Sequence, residues 1–231
     1  MTRFDFSQDP LLTANIRNSL LRGSCELLED TEEGIFIYDI PGNVFILYAP
    51  LELGKSWLCK HEGRSYKLLV LYDDALAAFV AVRYGLQIDE KCKQVVWMHS
   101  EPPATAEKLR FHTATEADMA LCLQIYHNSS EADVRQAVKA GNVMLGYKDE
   151  TLVGMIGIHM EGSMGMLEVL PEYRRRGYGT ELEKALIARQ LESGLLPYGQ
   201  VYLSNEASFA LQASIGMECS EGTLIWLFPK G

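Results

Sequence analysis

Met166-Leu167-Glu168-Val169-Leu170-Pro171-Glu172-Tyr173-Arg174-Arg175-Arg176-Gly177-Tyr178-Gly179-Thr180 is the stretch on which the fold of this chain turns. An apolar strand runs to Leu170 and stops at Pro171, which has no N–H to offer a neighbouring strand. A short basic turn follows, and the chain enters a helix through Gly177 and Gly179. That helix is expected to reach Glu192 and end at Ser193-Gly194. Glycines at this point let the backbone come close to a ligand, and the first N–H groups of any helix have no partner inside it. Such a strand–loop–helix suits a phosphate or pyrophosphate. Three adjacent arginines point the same way, because like charges packed together cost energy unless an anion neutralises them. The plainer reading is a solvated basic loop whose glycines serve only the turn. GxGxxG is absent and no Walker lysine follows the glycines, so neither common nucleotide fingerprint is present.

Downstream, Gln200 to Leu203 reads as a strand, Glu206 to Ile215 as a short helix and Thr223 to Phe228 as a last strand. Upstream, strands are expected at Val143 to Lys148 and Thr151 to Met160, turned at Asp149-Glu150. Before them Leu109 to His112 reads as a strand. Thr115 caps a helix from Glu116 to about Tyr126, and Ser130 caps another that Gly141 ends. Pro102-Pro103-Ala104-Thr105 is the natural linker, since consecutive prolines hold the backbone extended. The N-terminal part offers a hairpin, Gly34 to Tyr38 and Val44 to Tyr48 about Pro41-Gly42-Asn43. It continues with a strand from Ser65 to Tyr72, a helix from Asp74 to Tyr84 stopped by Gly85, and a strand from Gln94 to His99. The whole is a mixed α/β pattern. Leu69 to Asp74, with a helix ending at Gly85, is echoed 131 residues later by Gln200 to Asn205 and a helix ending at Gly216. That echo suggests a duplicated half-fold.

A chain of 231 residues, 48% apolar and 23% charged, has room for one or two packed domains. The net charge is −10, with ten basic against fifteen acidic residues up to Ala106 and eleven against sixteen after it. Acidity spread this evenly argues against a nucleic-acid partner. Five separated cysteines with no CxxC pair argue against a disulfide framework or a structural metal site and suggest a reducing compartment. Met1 to Phe6 shows no apolar signal region, and Ala75 to Val82 is too short to span a bilayer. The expectation is a cytoplasmic protein with no membrane partner.

The spacing Arg174-x-x-Gly177-x-Gly179 resembles the acetyl-CoA pyrophosphate motif of the GNAT superfamily of N-acyltransferases. Leu167-x-Val169-x-Pro171 looks like the strand that pairs with the pantetheine arm in those enzymes. Asn205 to Met217 is similar to their asparagine-led helix, which ends in a glycine and an apolar residue. Leu170-Pro171-Glu172-Tyr173-Arg174 and Ser204-Asn205-Glu206-Ala207, the latter preceded by Pro197-Tyr198-x-x-Val201, resemble the C-terminal half of glycine N-acyltransferases and FR47-like proteins. The resemblance implies a mixed α/β fold with a GNAT-like central mixed sheet flanked by helices. Residues 106–231 would be the acyl-CoA-binding domain and residues 1–105 a degenerate half-GNAT domain. It further implies acyl transfer from acetyl-CoA, or another acyl-CoA, to a primary amine of a small molecule or amino acid by direct attack, without a metal.

In that reading the backbone of Arg175, Arg176, Gly177, Tyr178, Gly179 and Thr180 holds the pyrophosphate, and Arg174, Arg175 and Arg176 add charge. Backbone groups of Leu167, Val169 and Leu170 take the pantetheine arm by strand addition. Asn205 and Ser208 fall where the family contacts the cofactor arm, although Asn205 is equally a natural helix cap. The family's basic glutamate matches Ser163, whose hydroxyl cannot deprotonate an ammonium near neutral pH. Glu161 and Glu168 are therefore the candidate catalytic carboxylates. Glu161 shares a face with Ser163 by strand parity, and a bulge would turn Glu168 inward. Their commoner fate is that of solvated surface acids. His159 is a further candidate base, and a buried structural histidine is its alternative. Gln212 stands where many members carry a tyrosine, and an amide can orient a thiolate or a water but has no readily lost proton. Tyr178 and Tyr202 lie nearby in sequence. Cys219 has no histidine that can be placed beside it and reads as a small apolar residue. Two functions follow: an N-acyltransferase, or an acyl-CoA-binding or regulatory protein that kept the cleft and lost the chemistry. The oligomeric state stays open, a homodimer included.

Overall fold

The computed structural model describes residues 2–106 and 109–230. The chain begins with α1 (Ala14–Arg22), β1 (Cys25–Asp30), β2 (Ile35–Asp39), β3 (Val44–Tyr48), α2 (Leu51–Lys60), β4 (Leu68–Leu71) and α3 (Asp74–Tyr84). Short strands β5 (Gln87–Ile88) and β6 (Cys92–Val96) precede β7 (Arg110–Thr113), α4 (Met119–Ile125) and α5 (Glu131–Lys139). Then come β8 (Val143–Lys148), β9 (Thr151–Ile158), β10 (Met164–Val169), α6 (Tyr178–Glu192), β11 (Tyr198–Tyr202) and α7 (Glu206–Ile215). The last elements are β12 (Glu218–Cys219) and β13 (Ile225–Phe228). Local chemistry sets many of these ends. Asp73 accepts the Leu76 N–H at 2.7 Å to start α3, and Gly85, with φ of 67°, ends it in the left-handed conformation. A reciprocal box between Thr115 and Asp118 opens a 3₁₀ turn leading into α4, and Ser130 caps α5.

Two compact units divide the chain. The first takes residues up to Val96, 200–206 and those from Glu218 onward, and the second takes 97–199 and 207–217. A single border at 105/106 therefore does not describe the packing. The reason is β13, which pairs antiparallel with β4 and buries Ile225 and Leu227 in the first unit. Residues 200–206 are tied there as well, with Ser204 donating its N–H and hydroxyl to the Glu90 carboxylate at 2.6 and 2.8 Å.

The first unit's sheet runs β1-β2-β3-β4-β13-β5. Alternation along β2 sends Phe36 to the core under α2 and α3, and Ile35 and Ile37 to the opposite core, where Ile16 of α1 packs. In the second unit β7, β8, β9 and β10 follow one another across the sheet. β8 points Val143 and Leu145 into a core with Val134 and Val138 of α5. Its other face carries Gly146, where a Cβ would sit 2.9 Å from a Leu182 methyl, so the missing side chain is what seats α6 on the sheet.

The same order occurs twice along the chain: two antiparallel strands, a third, a crossover helix, a parallel fourth strand and a helix ending at a left-handed glycine. In the first it is β1-β2-β3-α2-β4-α3 with Gly85, and in the second β8-β9-β10-α6-β11-α7 with Gly216. The sequence echo is thus carried by equivalent elements. β1, α1 and α2 escaped the sequence reading, because α1 buries the polar Asn15, Asn18 and Ser19 rather than an apolar stripe.

Candidate functional site

The two copies differ at one place. β3 pairs with β2 in unbroken register and with β4 over four residue pairs, and only Ala49 and Pro50 separate it from α2. β10 instead shifts register against β9 between Gly165 and Glu168, with Met166 in the left-handed region at φ of 51°. One extra residue bends the strand and re-aims its edge. β10 meets β11 at a single pair, Met164 with Gly199. Beyond it, the Leu170 N–H donates to Val153 O at 2.9 Å, toward β9. Strand parity then turns the backbone of Val169 to the other edge, where its carbonyl accepts from Arg174 Nε at 2.9 Å. Of the backbone expected to receive a ligand arm, Leu170 has its N–H committed to the sheet and Val169 has its carbonyl committed to Arg174. The Leu167 backbone and the Val169 N–H remain for that edge.

The loop from Leu170 to Gly177 has no counterpart in the first unit. Pro171–Tyr173 forms one 3₁₀ turn, Arg175 has φ of 60° and Gly177 has φ of 83°. A left-handed arginine costs roughly 1 kcal/mol, and strain of this kind gathers where backbone groups are aimed at a ligand. Gly177 is the N-cap of α6 without a side-chain cap, and the first helical bond is Glu181 N–H to Gly177 O at 3.2 Å. The N–H groups of Tyr178, Gly179 and Thr180 thus donate to nothing among the described residues. A Cβ on Gly179 would meet only Val169 Cγ2, at 3.6 Å, so the chain itself leaves that space open. The geometry fits a pyrophosphate.

The three arginines are not equivalent. Arg174 pairs with Glu168 at 2.7 Å, so part of its charge is spent inside the protein. Arg176 lies over the Tyr173 ring, 5.6 Å from its centroid. Neither Arg175 nor Arg176 pairs with a carboxylate among the described residues, and both are exposed. The bulge foreseen before Glu168 exists, but it delivers that carboxylate to Arg174.

Glu161 sits in the β9–β10 turn rather than on the strand, so strand parity does not govern it. A hydrogen bond joins it to Ser163 all the same: the buried Ser163 hydroxyl donates to Glu161 Oε1 at 2.5 Å. His159 rests against Gly165, where a Cβ would meet its Nε2. Asn205 is exposed in the stretch assigned to the first unit, its N–H donating to Tyr202 O at 2.9 Å, and Ser208 is half-buried on α7. Tyr202 donates to Asp89, and burial together with that carboxylate raises its pKa out of reach of proton transfer. Burial likewise raises the Cys219 thiol, against thiolate formation.

One group escaped the sequence reading. Glu183, on the second turn of α6, is buried, and burial raises its carboxyl to about 7, opposed only by the Gln212 Nε2 that donates to it at 3.1 Å. A glutamate flanked by Leu182 and Lys184 on a helix reads as solvated, and its burial depends on partners distant in sequence, Gln212 among them. Among the described residues no cluster of histidine, cysteine or acidic side chains is arranged to hold a metal, and no helix is long and apolar enough to cross a membrane.

Residues 111–217 match the sequence model of the Acetyltransferase (GNAT) family. Among solved structures, a Drosophila protein is similar at 20% identity and a TM-score of 0.62, over 98% of this chain and 91% of its own. A protein from Novosphingobium aromaticivorans assigned to the GNAT family aligns at 16% identity and 0.58, over 98% of this chain and all of its own. A GCN5-related N-acetyltransferase from Kribbella flavida aligns at 15% and 0.56, over 96% and 95%. A search among curated proteins finds no match. At these identities the likeness is one of fold, and it extends over nearly the whole chain. Loop, bulge and sequence match together define the class: this is a mixed α/β protein of two-domain GNAT-like fold. Within it, residues 111–217 are the stretch that matches the GNAT acetyltransferase family.

Proposed function

We propose that the chain transfers an acyl group, most simply acetyl, from acyl-CoA to the primary amine of a small molecule or amino acid. The single observation that carries this is the Leu170–Gly177 loop, which presents the free N–H groups of α6 beside the broken edge of β10. The first unit has no such loop between β3 and α2. Backbone N–H groups from Arg175 to Thr180 hold the pyrophosphate, with Arg175 and Arg176 as its counter-charges and Arg174 as the strut that fixes the loop to β10. Leu167 and Val169 pair with the pantetheine arm, and Ser208 flanks it.

Direct attack forms the C–N bond, breaks the C–S bond and leaves one proton to be taken from the amine. Glu161 suits that task better than Glu168. Its carboxylate holds the Ser163 hydroxyl, so a proton leaving an amine at Ser163 passes on to Glu161. Glu168 is neutralised by Arg174. An amino-acid acceptor rests on the resemblance to glycine N-acyltransferases, and a cytoplasmic setting on five free cysteines.

A second reading has its own observation. Gln212 has no proton to give a leaving thiolate, which suits a protein that binds acyl-CoA without turning it over. Thiol release from acetyl-CoA across a panel of amines separates the two. Turnover on any amine supports the transferase, and saturable binding without release on any of them overturns it.

A further inference from the structure

The Glu183–Gln212 pair has one loose end. Both side chains are buried, the carboxyl being 4% and the amide residue 6% exposed. Gln212 Nε2 donates to Glu183, and Gln212 Oε1 is buried with no partner. A bare buried carbonyl costs about 1–3 kcal/mol, so its presence needs a reason. Turning the amide by half a rotation offers Oε1 to a protonated Glu183 and leaves the NH₂ unpartnered instead. In either arrangement one end of Gln212 waits for a group the chain does not supply. The proton on Glu183 decides whether that end is an acceptor or a pair of donors.

Glu183 lies five residues beyond Tyr178, roughly 8 Å along α6 from the free N–H groups. Among the described residues no other charge bears on it. β9 carries no titratable side chain, β10 carries only Glu168 in its pair with Arg174, and the acidic residue of α7, Glu206, is exposed. On α6 itself, Glu181 accepts the Ala106 N–H, Lys184 donates to Ala104 O and Arg189 to Gly141 O.

We propose that Glu183 is a positioning residue. Its neutral carboxyl donates to Gln212 Oε1 and turns the Gln212 NH₂ toward the acyl-CoA held at the α6 N-terminus. This rests on the reading of that loop as an acyl-CoA site. A carboxylate at Glu183 would both reverse the amide and place a negative charge beneath a polyanionic ligand. Binding therefore takes up a proton at Glu183.

The test is the Kd for acetyl-CoA, measured calorimetrically from pH 5.5 to 8.5 on the full chain, its Glu183→Gln variant and its Gln212→Leu variant. The phosphate of the ligand titrates near ~6 and does so identically with all three proteins. Wild type is expected to lose about tenfold in affinity across neutrality beyond the change seen in Glu183→Gln, which keeps the low-pH affinity throughout. That figure matches one charge–charge contact at roughly 10 Å in a partly screened interior. Gln212→Leu, which keeps the Glu183 charge and loses the amide, is expected to bind acetyl-CoA more weakly than wild type at low pH. Identical pH profiles in wild type and Glu183→Gln overturn this inference alone. Absence of acetyl-CoA binding at every pH overturns the transferase reading and this inference with it. Should Glu183→Gln fail to fold, Gln212→Leu decides: a low-pH affinity equal to that of wild type overturns the proposal.

Discussion

Replacing Glu183 by glutamine should change how the protein's stability depends on pH, whatever ligand it binds. In the folded chain burial raises this carboxyl from its ordinary 4.5 to about 7. One pKa unit corresponds to about 1.4 kcal/mol, so the displacement amounts to about 3 kcal/mol between protonation states. The sign follows from which state holds the proton. Below pH 4.5 both folded and unfolded chains are protonated at this position. Between there and about 7 the folded chain keeps a proton that the unfolded chain has released, so stability falls as pH rises. Above about 7 the loss is complete. Urea unfolding of wild type and Glu183→Gln at half-unit steps from pH 4.5 to 8 isolates the group, because all other carboxylates are common to both. The wild type's advantage should shrink by about 3 kcal/mol across the window, or roughly 6–12 °C in Tm for a chain of this size. Parallel stability curves would refute the burial argument and remove the proton on which the Gln212 switch depends.

Three further outcomes follow from particular residues. Gly179→Ala should stabilise α6 by about 0.5–1 kcal/mol, since its Cβ meets only Val169, yet weaken acetyl-CoA binding about tenfold, the cost of one charge-assisted hydrogen bond. A variant that is more stable and binds equally well would show that the glycine serves only the turn. Glu161→Gln and Ser163→Ala should each lower kcat by about 10²-fold or more without changing the acetyl-CoA Kd. Glu168→Gln should leave turnover within a few fold, and the reverse pattern would reassign the base. Thr115→Ala removes half of a reciprocal cap and should cost about 1 kcal/mol in chemical denaturation, with activity retained.

Much of this fold is written in local chemistry. Thr115 and Ser130 mark helix starts, Gly85 marks a stop, and Pro171 with Gly177 and Gly179 marks the turn into α6. Each depends on atoms within four residues, and each stands where the sequence reading put it. What sequence did not reveal depends on distant partners. The bulge before Glu168 is expected, but its positive φ falls on Met166, where no glycine or asparagine announces it. Glu161 and Ser163 meet through a tight turn rather than strand alternation. Glu183 is buried beside Gln212, which is 29 residues away in the chain. β13 leaves the segment it follows and completes the first unit's sheet, because Ile225 and Leu227 find their core beside β4.

The central claim is that the strained, glycine-bearing loop before α6 exists to hold acyl-CoA for transfer to an amine. Thiol release from acetyl-CoA, measured with a panel of small amines and amino acids, tests it most directly. The account predicts release that saturates in acetyl-CoA and in at least one amine, and that weakens in Gly179→Ala through KM for acetyl-CoA. No saturable use or binding of acetyl-CoA, or release equally efficient in Gly179→Ala, would contradict it.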